Sequence, residues 1–440
     1  MSTIRTFIVC LSLLLTAFLI DLGTIPVTRC EETHSSITVG HGNSYQFSSI
    51  KNALENARNG SIIRIAPGEY HENLNVDIQV EIIGSGSEST FIIGSHGNHT
   101  MNIMADNCTI SNLNVNGSYF GILISGRNCS VSNCDIWGNV IGIMCIRKGY
   151  ASVRDTNCIH NHRGLHSESP YNSFSNVKFK GNGGHGVSFF LGMNNSFKGC
   201  SFSRNGGSGL YSYWMSDGCV FFECNFSYNQ GDGAYFLDSH SNSIKRCHFD
   251  SNGGVGLFID SNKNRVDRCI IRYNNRTGLR FDHTEGTLIR NSIIGWNSDK
   301  GLSSRYSRDS MVENCKIIQN MKQGIYLGVE TSGIRILKNT FYANNQKREQ
   351  VISVKGGNPI IDNENLSEPI LSHWSLPDSD GDGICDDFDY HPYDPDSWTE
   401  TEEIQTDNVN QRENTPFLPI SIILTAIVFT IFFRRKRLRC

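Results

Sequence analysis

Along the middle of the chain, apolar residues alternate with polar ones in short runs, and each run is broken by glycine or asparagine. A helix would repeat its apolar positions about every 3.6 residues, whereas a period of two predicts short strands joined by tight turns. The runs themselves recur. Glycine followed by an aliphatic residue stands at Gly121-Ile122, Gly142-Ile143, Gly164-Leu165, Gly186-Val187, Gly209-Leu210, Gly233-Ala234, Gly256-Leu257, Gly278-Leu279, Gly301-Leu302 and Gly324-Ile325, at intervals of 21 to 24 residues. Such a period marks a solenoid.

A second register runs beside the first: Asn116, Asn139, Asn161, Asn182, Asn205, Asn229, Asn252, Asn274, Asn297, Asn320 and Asn344. Three positions earlier stand Leu113, Ile136, Phe179, Phe202, Phe226, Phe249, Ile271, Ile294, Ile317 and Phe341. Five positions earlier stand Cys134, Cys200, Cys224, Cys247, Cys269 and Cys315. Coils of this length hold three short strands and three bends. Stacked at ~4.8 Å, they let each strand pair in parallel with the one above. The expected fold is therefore all-β, a single-stranded parallel β-helix over residues 37–365. Its inward asparagines should form a hydrogen-bonded ladder, with phenylalanine and cysteine ladders beside them.

The open end of a solenoid exposes core and needs a cap. Ser48 to Asn59 carries Ile50, Ala53, Leu54 and Ala57 on one helical face, with Ser48 or Ser49 as N-cap and Gly60 at the stop. Ile62–Ile65, Leu74–Ile83 and Phe91–Ile93 supply the first strands. The cysteine ladder reads as packing, because parallel neighbours point the same way and suit the disulfide torsion poorly. Cys108, Cys129, Cys145, Cys158 and Cys219 lie off it and leave room for a bridge.

The two ends add a topology. A basic start at Arg5 precedes an apolar run from Phe7 to Ile20, the form of a secretory signal over residues 1–30, with an uncleaved anchor as the alternative. Phe417 to Phe433 is apolar and long enough to span a bilayer, and the basic tail 434–440 holds the C-terminus in the cytoplasm. The body is then expected on the outer face of the cell membrane. A formal net charge of −4 gives no basic field for nucleic acid. Sequons at Asn59, Asn98, Asn107, Asn116, Asn128, Asn194, Asn225, Asn275 and Asn365 fit a glycosylated exterior.

Two stretches of this sequence carry a family likeness. "FSSIKNALENARNGSIIRIAPGEYHENLNVDIQVEIIGSG" resembles the start of the pectin-lyase-like superfamily. "NSFKGCSFSRNGGSGLYSY" resembles the coils of NosD-type β-helix and CASH (carbohydrate-binding and sugar-hydrolysis) domains. The resemblance covers about residues 37–360 and implies the right-handed form of the solenoid. For activity it implies little, since such coils host lyases, hydrolases, epimerases and plain binders.

Beyond the solenoid, Asp378, Asp380, Asp382, Gly383, Asp386 and Asp389 stand at calcium-loop spacing, with Ile384 placed to give its carbonyl. The segment 376–396 resembles a thrombospondin type-3 repeat and is read as a structural Ca2+ site before an acidic linker, 397–415. His160, His162 and His166 form a His-x-His-x3-His cluster, but His160 and His162 flank inward Asn161 and should face out, so copper is not expected there. Gly184-His185-Gly186 matches the Gly-His-Gly of polygalacturonases, yet Ser208, Asp232, Val255 and Thr277 fill the same slot in later coils, which marks a repeat position.

The remaining candidate is the outward face after the Gly-Leu strand. Tyr211, Tyr235, Phe258 and Arg280 form one column, continued by Tyr326; Tyr213, Leu237, Asp260, Asp282 and Arg305 form the next. Aromatic rings beside acids and arginines suit a sugar-binding face. The expected function is binding of a polysaccharide or glycoconjugate at Tyr211, Tyr213, Tyr235, Phe258, Asp260, Arg280 and Asp282. A carbohydrate-active lyase, epimerase or hydrolase on the same face is the alternative, and a passive envelope or adhesion rod the third.

Overall fold

The computed structural model describes residues 36–344 except 96, together with 352–355 and 359–365. Within them the chain winds as a right-handed parallel β-solenoid of about 14 turns with almost no helix. Each coil contributes three short strands. The third wall is a 13-stranded sheet, and 27 further strands make the other two walls, which become continuous through the long strand Arg335–Tyr342. All pairings between strands are parallel, one coil to the next, as Phe202↔Phe226↔Phe249 illustrates.

The period-two pattern is realised as expected. Phe202 points inward between Ser201 and Ser203, and Leu210 and Ser212 point inward between Tyr211 and Tyr213. Two phenylalanine stacks fill the interior: Phe174, Phe197 and Phe221, with centroids 4.5 and 5.1 Å apart, and Phe202, Phe226 and Phe249, at 4.4 and 4.7 Å. Each ring so buried contributes roughly 1.5–3 kcal/mol.

The asparagine ladder runs unbroken from Asn139 to Asn344. Each side-chain oxygen accepts from the preceding coil, and most Nδ2 groups also donate to a backbone carbonyl one coil back. The recurring glycines make room for it: a Cβ on Gly209 would lie 2.6 Å from the Gly233 oxygen and 2.8 Å from Asn229 Nδ2.

The first coils depart from the expected register. Val115, not Leu113, pairs with Ile136, so Ser118 stands in the slot expected for Asn116 and donates its N–H to Asn139 Oδ1. The short turn before Phe120 moves the frame by two residues, and Leu113 occupies the cysteine slot. Asn116 is buried and bonds Asn114 instead, which removes it from the exposed sequons. A second polar ladder was not anticipated. Asn172, Asn195, Asn242 and Asn264, with Cys219 among them, pass hydrogen bonds along the turn before the first wall. Their spacing of 22 to 24 residues was visible in the sequence but carries no glycine signature.

The N-terminal helix is shorter than the apolar pattern, Ile50–Glu55, with Ser49 as N-cap and Asn56 as C-cap. Glu72 fixes its start by accepting from the amides of Ile50 and Lys51, at 2.9 and 2.8 Å. Ile50, Ala53 and Leu54 are buried in the first coils. The expected strand Leu74–Ile83 is two strands, Leu74–Val76 and Val80–Ile83. All eleven described cysteines are free and buried, so none of the off-ladder five forms a bridge.

Candidate functional site

On the third wall the strands Arg163–Ser167, Val187–Phe190, Leu210–Tyr213, Ala234–Leu237, Leu257–Asp260, Leu279–Asp282 and Leu302–Arg305 lie side by side. Strict register places Tyr211, Tyr235, Phe258 and Arg280 in one outward column, followed by Ser303 and Tyr326. The neighbouring column reads Phe190, Tyr213, Leu237 and Asp260, and Asp282 pairs with Arg305. Both columns stand where the alternation put them.

Their side chains engage one another closely. His185 stacks on Tyr211 at 4.9 Å, Tyr211 meets Tyr235 edge to face at 5.4 Å, and Tyr235 stacks on Phe258 at 4.5 Å and 7°. The Arg280 guanidinium covers Phe258 at 4.6 Å. Arg280 then reaches down its own strand to Asp282, donating from Nε at 2.8 Å and from Nη2 to the same oxygen. Asp282 is only 3% exposed, and its Oδ1 is buried without a hydrogen-bond partner.

Asp260 and Asp282 stand in adjacent coils, and each has a basic residue beside it. Arg280 holds Asp282, and His283 Nδ1 lies 3.2 Å from Asp260 Oδ1. Burial raises the Asp260 carboxyl above its ordinary range, with His283 opposing and Asp282 adding to the rise. Burial also pushes Tyr235 up to about 12, reinforced by Asp260, Tyr211 and Asp232 and opposed by Arg280. Asp232 is likewise raised by burial, against the Val255 amide it accepts at 2.7 Å and the charges of Arg276 and Arg280. Two carboxylates, Asp260 and Asp232, with the Arg280 guanidinium and the Tyr211 phenol, therefore act electrostatically on Tyr235.

Two histidines extend the face and were not assigned to it. His166 belongs to the same column as Tyr211, two coils earlier. Its Nδ1 lies 2.7 Å from Ser188 Oγ and its Nε2 3.3 Å from Glu168. His160 and His162 face out around buried Asn161, as expected, and sit away from that wall's strand. Among the described residues no group of three or more His, Cys, Asp or Glu is arranged to hold a metal. His185 accepts from the Ser208 amide at 3.0 Å, Ser208 Oγ accepts from Asp232 N, and Asp232 accepts from Val255 N, so the Gly-x-Gly slot is a structural ladder. Extending the outward column upstream through Ser188 would have found His166, whereas His185 stands outside that column and reaches Tyr211 only by its side-chain stacking.

The calcium-loop positions Asp378, Asp380, Asp382, Ile384, Asp386 and Asp389 lie outside the described residues, as do the signal, the acidic linker, the apolar C-terminal segment and the basic tail. Among the described residues no helix is long and apolar enough to cross a membrane.

Three parallel walls wound around aromatic stacks and polar ladders define a β-helix protein. The profile of the family described as "Right handed beta helix region" matches residues 39–217, 167–275 and 241–369, and the chain belongs to that family. Comparison with curated proteins finds no match. Among solved structures, the A-module of the mannuronan C-5 epimerase AlgE6 from Azotobacter vinelandii is similar, with a TM-score of 0.55 at 15% identity over 72% of this chain and 93% of the epimerase module. A mannuronic-acid-specific polysaccharide family 6 lyase from human gut microbiota is similar with a TM-score of 0.51 at 14% identity, over 71% of this chain and 88% of the lyase. Both are likenesses of fold.

Proposed function

We propose that the third wall, from His166 to Asp282, binds a polysaccharide or glycoconjugate. The observation that carries this reading is the placing of Tyr235 within the influence of Asp232 and Asp260, with Arg280 two coils on in the same outward column. Carboxylates and a guanidinium recognise sugar hydroxyls and carboxylates through charge-assisted hydrogen bonds, and they are held in place by packing before any ligand arrives. The scaffold's likeness to an epimerase and a lyase named for mannuronan and mannuronic acid supports a glycan as the ligand class.

Turnover is the second reading, and one observation favours it. Asp260 and Asp232 are both held above the ordinary carboxylate range beside Tyr235 and Arg280, the kind of tuning that acid–base chemistry on a sugar ring needs. The sequence ends support export and tethering, with Phe7–Ile20 as the signal, Phe417–Phe433 as the anchor and the Asp378–Asp389 loop as a structural Ca2+ site near the stalk.

The full chain and its Arg280→Ala variant, applied to a glycan array with mannuronan among the probes, test binding. Retention that falls at least about tenfold with Arg280→Ala supports the face; equal retention removes it. A parallel assay for new reducing ends and for unsaturated uronate absorbance separates binding from cleavage.

A further inference from the structure

We infer that Trp214, at the lip of this face, is the platform on which a pyranose ring of the bound polysaccharide stacks. The inference rests on the polysaccharide reading and goes beyond it by moving the stacking site off the aromatic column. A sugar packs its CH face against a free aromatic face. In the column those faces are occupied. Tyr235 and Phe258 lie against each other at 4.5 Å, Arg280 covers Phe258, and His185 lies flat on Tyr211. What the column offers to solvent is ring edges and hydroxyls.

Trp214 differs. It follows directly on Tyr213, where the chain leaves the third wall, and it is 36% exposed. Its ring meets Phe190 edge-on, at 6.3 Å and 76°, so no ring is stacked on the indole. Met215 beside it is 50% exposed, and Tyr213 and Phe190 complete a small apolar patch. In register, Tyr213 precedes Leu237 and Asp260. The indole thus stands two coils, about 10 Å, from Asp260 along the solenoid axis, a distance a short stretch of polysaccharide bridges.

The backbone points the same way. Trp214 and Met215 have φ of 52° and 53°, the only adjacent non-glycine pair in the left-handed region among the described residues. A bulky side chain is disfavoured there. The fold requires no particular side chain at this turn, which other coils meet with Leu191, Asp238, His283 and Tyr306, at φ of 59°, 47°, 50° and 53°. The indole's exposure and the continuity of its patch with Tyr213 make the occupant the same glycan chain.

Trp214→Gly tests this cleanly, since glycine suits a positive φ and relieves the turn. Affinity electrophoresis of the full chain uses mannuronan, polygalacturonate and a neutral glucan as probes, with Trp214→Phe and Arg280→Ala alongside. The expected result is a loss of about fivefold or more in affinity for Trp214→Gly, with melting unchanged or higher, and less than about twofold for Trp214→Phe. Unchanged affinity in Trp214→Gly while Arg280→Ala loses binding overturns this inference and leaves the binding face intact. A wild-type chain that binds no probe overturns both. Sedimentation that shows the glycine variant dissociating a dimer, with glycan affinity intact, assigns the patch to a second copy and overturns the stacking role.

Discussion

Asn205 stands directly beneath Asn229: its Nδ2 donates to Asn229 Oδ1 at 2.9 Å, and its backbone N–H donates to the same oxygen at 3.1 Å. Asn229 in turn donates to the Phe202 carbonyl and to Asn252. One amide thus ties its own coil to the coils before and after it. Replacing Asn229 by Ala leaves two buried donors of Asn205 and the Phe202 carbonyl without these partners, at about 1–3 kcal/mol for each group that water does not reach. A total cost of about 3–5 kcal/mol is expected in urea unfolding, against less than about 0.5 kcal/mol for exposed Asn275→Ala. Equal midpoints for the two variants would show that the ladder is not a source of stability.

The repeat made this geometry legible because stacking forces like residues into columns, and a column of asparagines is visible as a period. The outward columns through Tyr235 and Asp260 were legible for the same reason: alternation fixes the side of the wall, and period fixes the partner. What the period does not carry is side-chain torsion. Whether Tyr235 and Phe258 spread their faces to solvent or close on each other depends on rotamers, and they close. Nor does a period show its own slips, so the first coil, where Ser118 replaces an asparagine, was misframed. His166 was grouped with His160 by sequence proximity, although a bend separates them in space.

The cysteines should behave as packing, not as redox groups. Burial pushes the thiols of Cys134, Cys145, Cys219 and Cys315 up to about 12. At pH 8 the thiolate is then about one part in ten thousand, and access is blocked as well. Iodoacetamide followed by peptide mass spectrometry is expected to leave all eleven described cysteines unlabelled in the native protein and to label them after unfolding. Rapid native labelling of Cys134 would contradict the buried free thiol.

Acid should destabilise the solenoid in two separate windows. His248 is held down to about 3 from 6.5 by burial, with Arg272 adding to the fall. Between those values the unfolded chain takes up a proton that the folded one refuses, so stability drops as pH falls from 6.5 toward 3, by up to about 5 kcal/mol. Asp299 is lowered to about 2: burial opposes, but hydrogen bonds from Lys322 and Thr277 and the Lys300 charge prevail. Its contribution is present above 3.8 and lost below it. Urea midpoints measured from pH 7 to pH 4 should fall in the wild type, and His248→Gln should flatten that slope while leaving the steeper loss below pH 4 in place.

Calcium removal is the test of the segment beyond the solenoid. Asp378, Asp380, Asp382, Asp386 and Asp389 bring five carboxylates to one loop, and without a cation their repulsion favours an open chain. On the proposed reading, a bound Ca2+ would screen that repulsion and tie the loop through the Ile384 carbonyl. Limited proteolysis with chymotrypsin, which has sites at Phe388, Tyr390 and Tyr393, in about 2 mM Ca2+ (the range of extracellular sites) and then in excess EGTA, should therefore show faster cleavage between 376 and 396 when calcium is withdrawn. Asp382→Ala should be cut fast in both conditions, because it loses a ligand at the tight glycine turn. Magnesium should protect poorly, since it demands a smaller octahedral shell. Melting of the solenoid should not move, because the ladder that holds it contains no metal ligand set among the described residues. A cleavage rate in this segment that ignores both EGTA and Asp382→Ala would leave the loop as an acidic linker and nothing more.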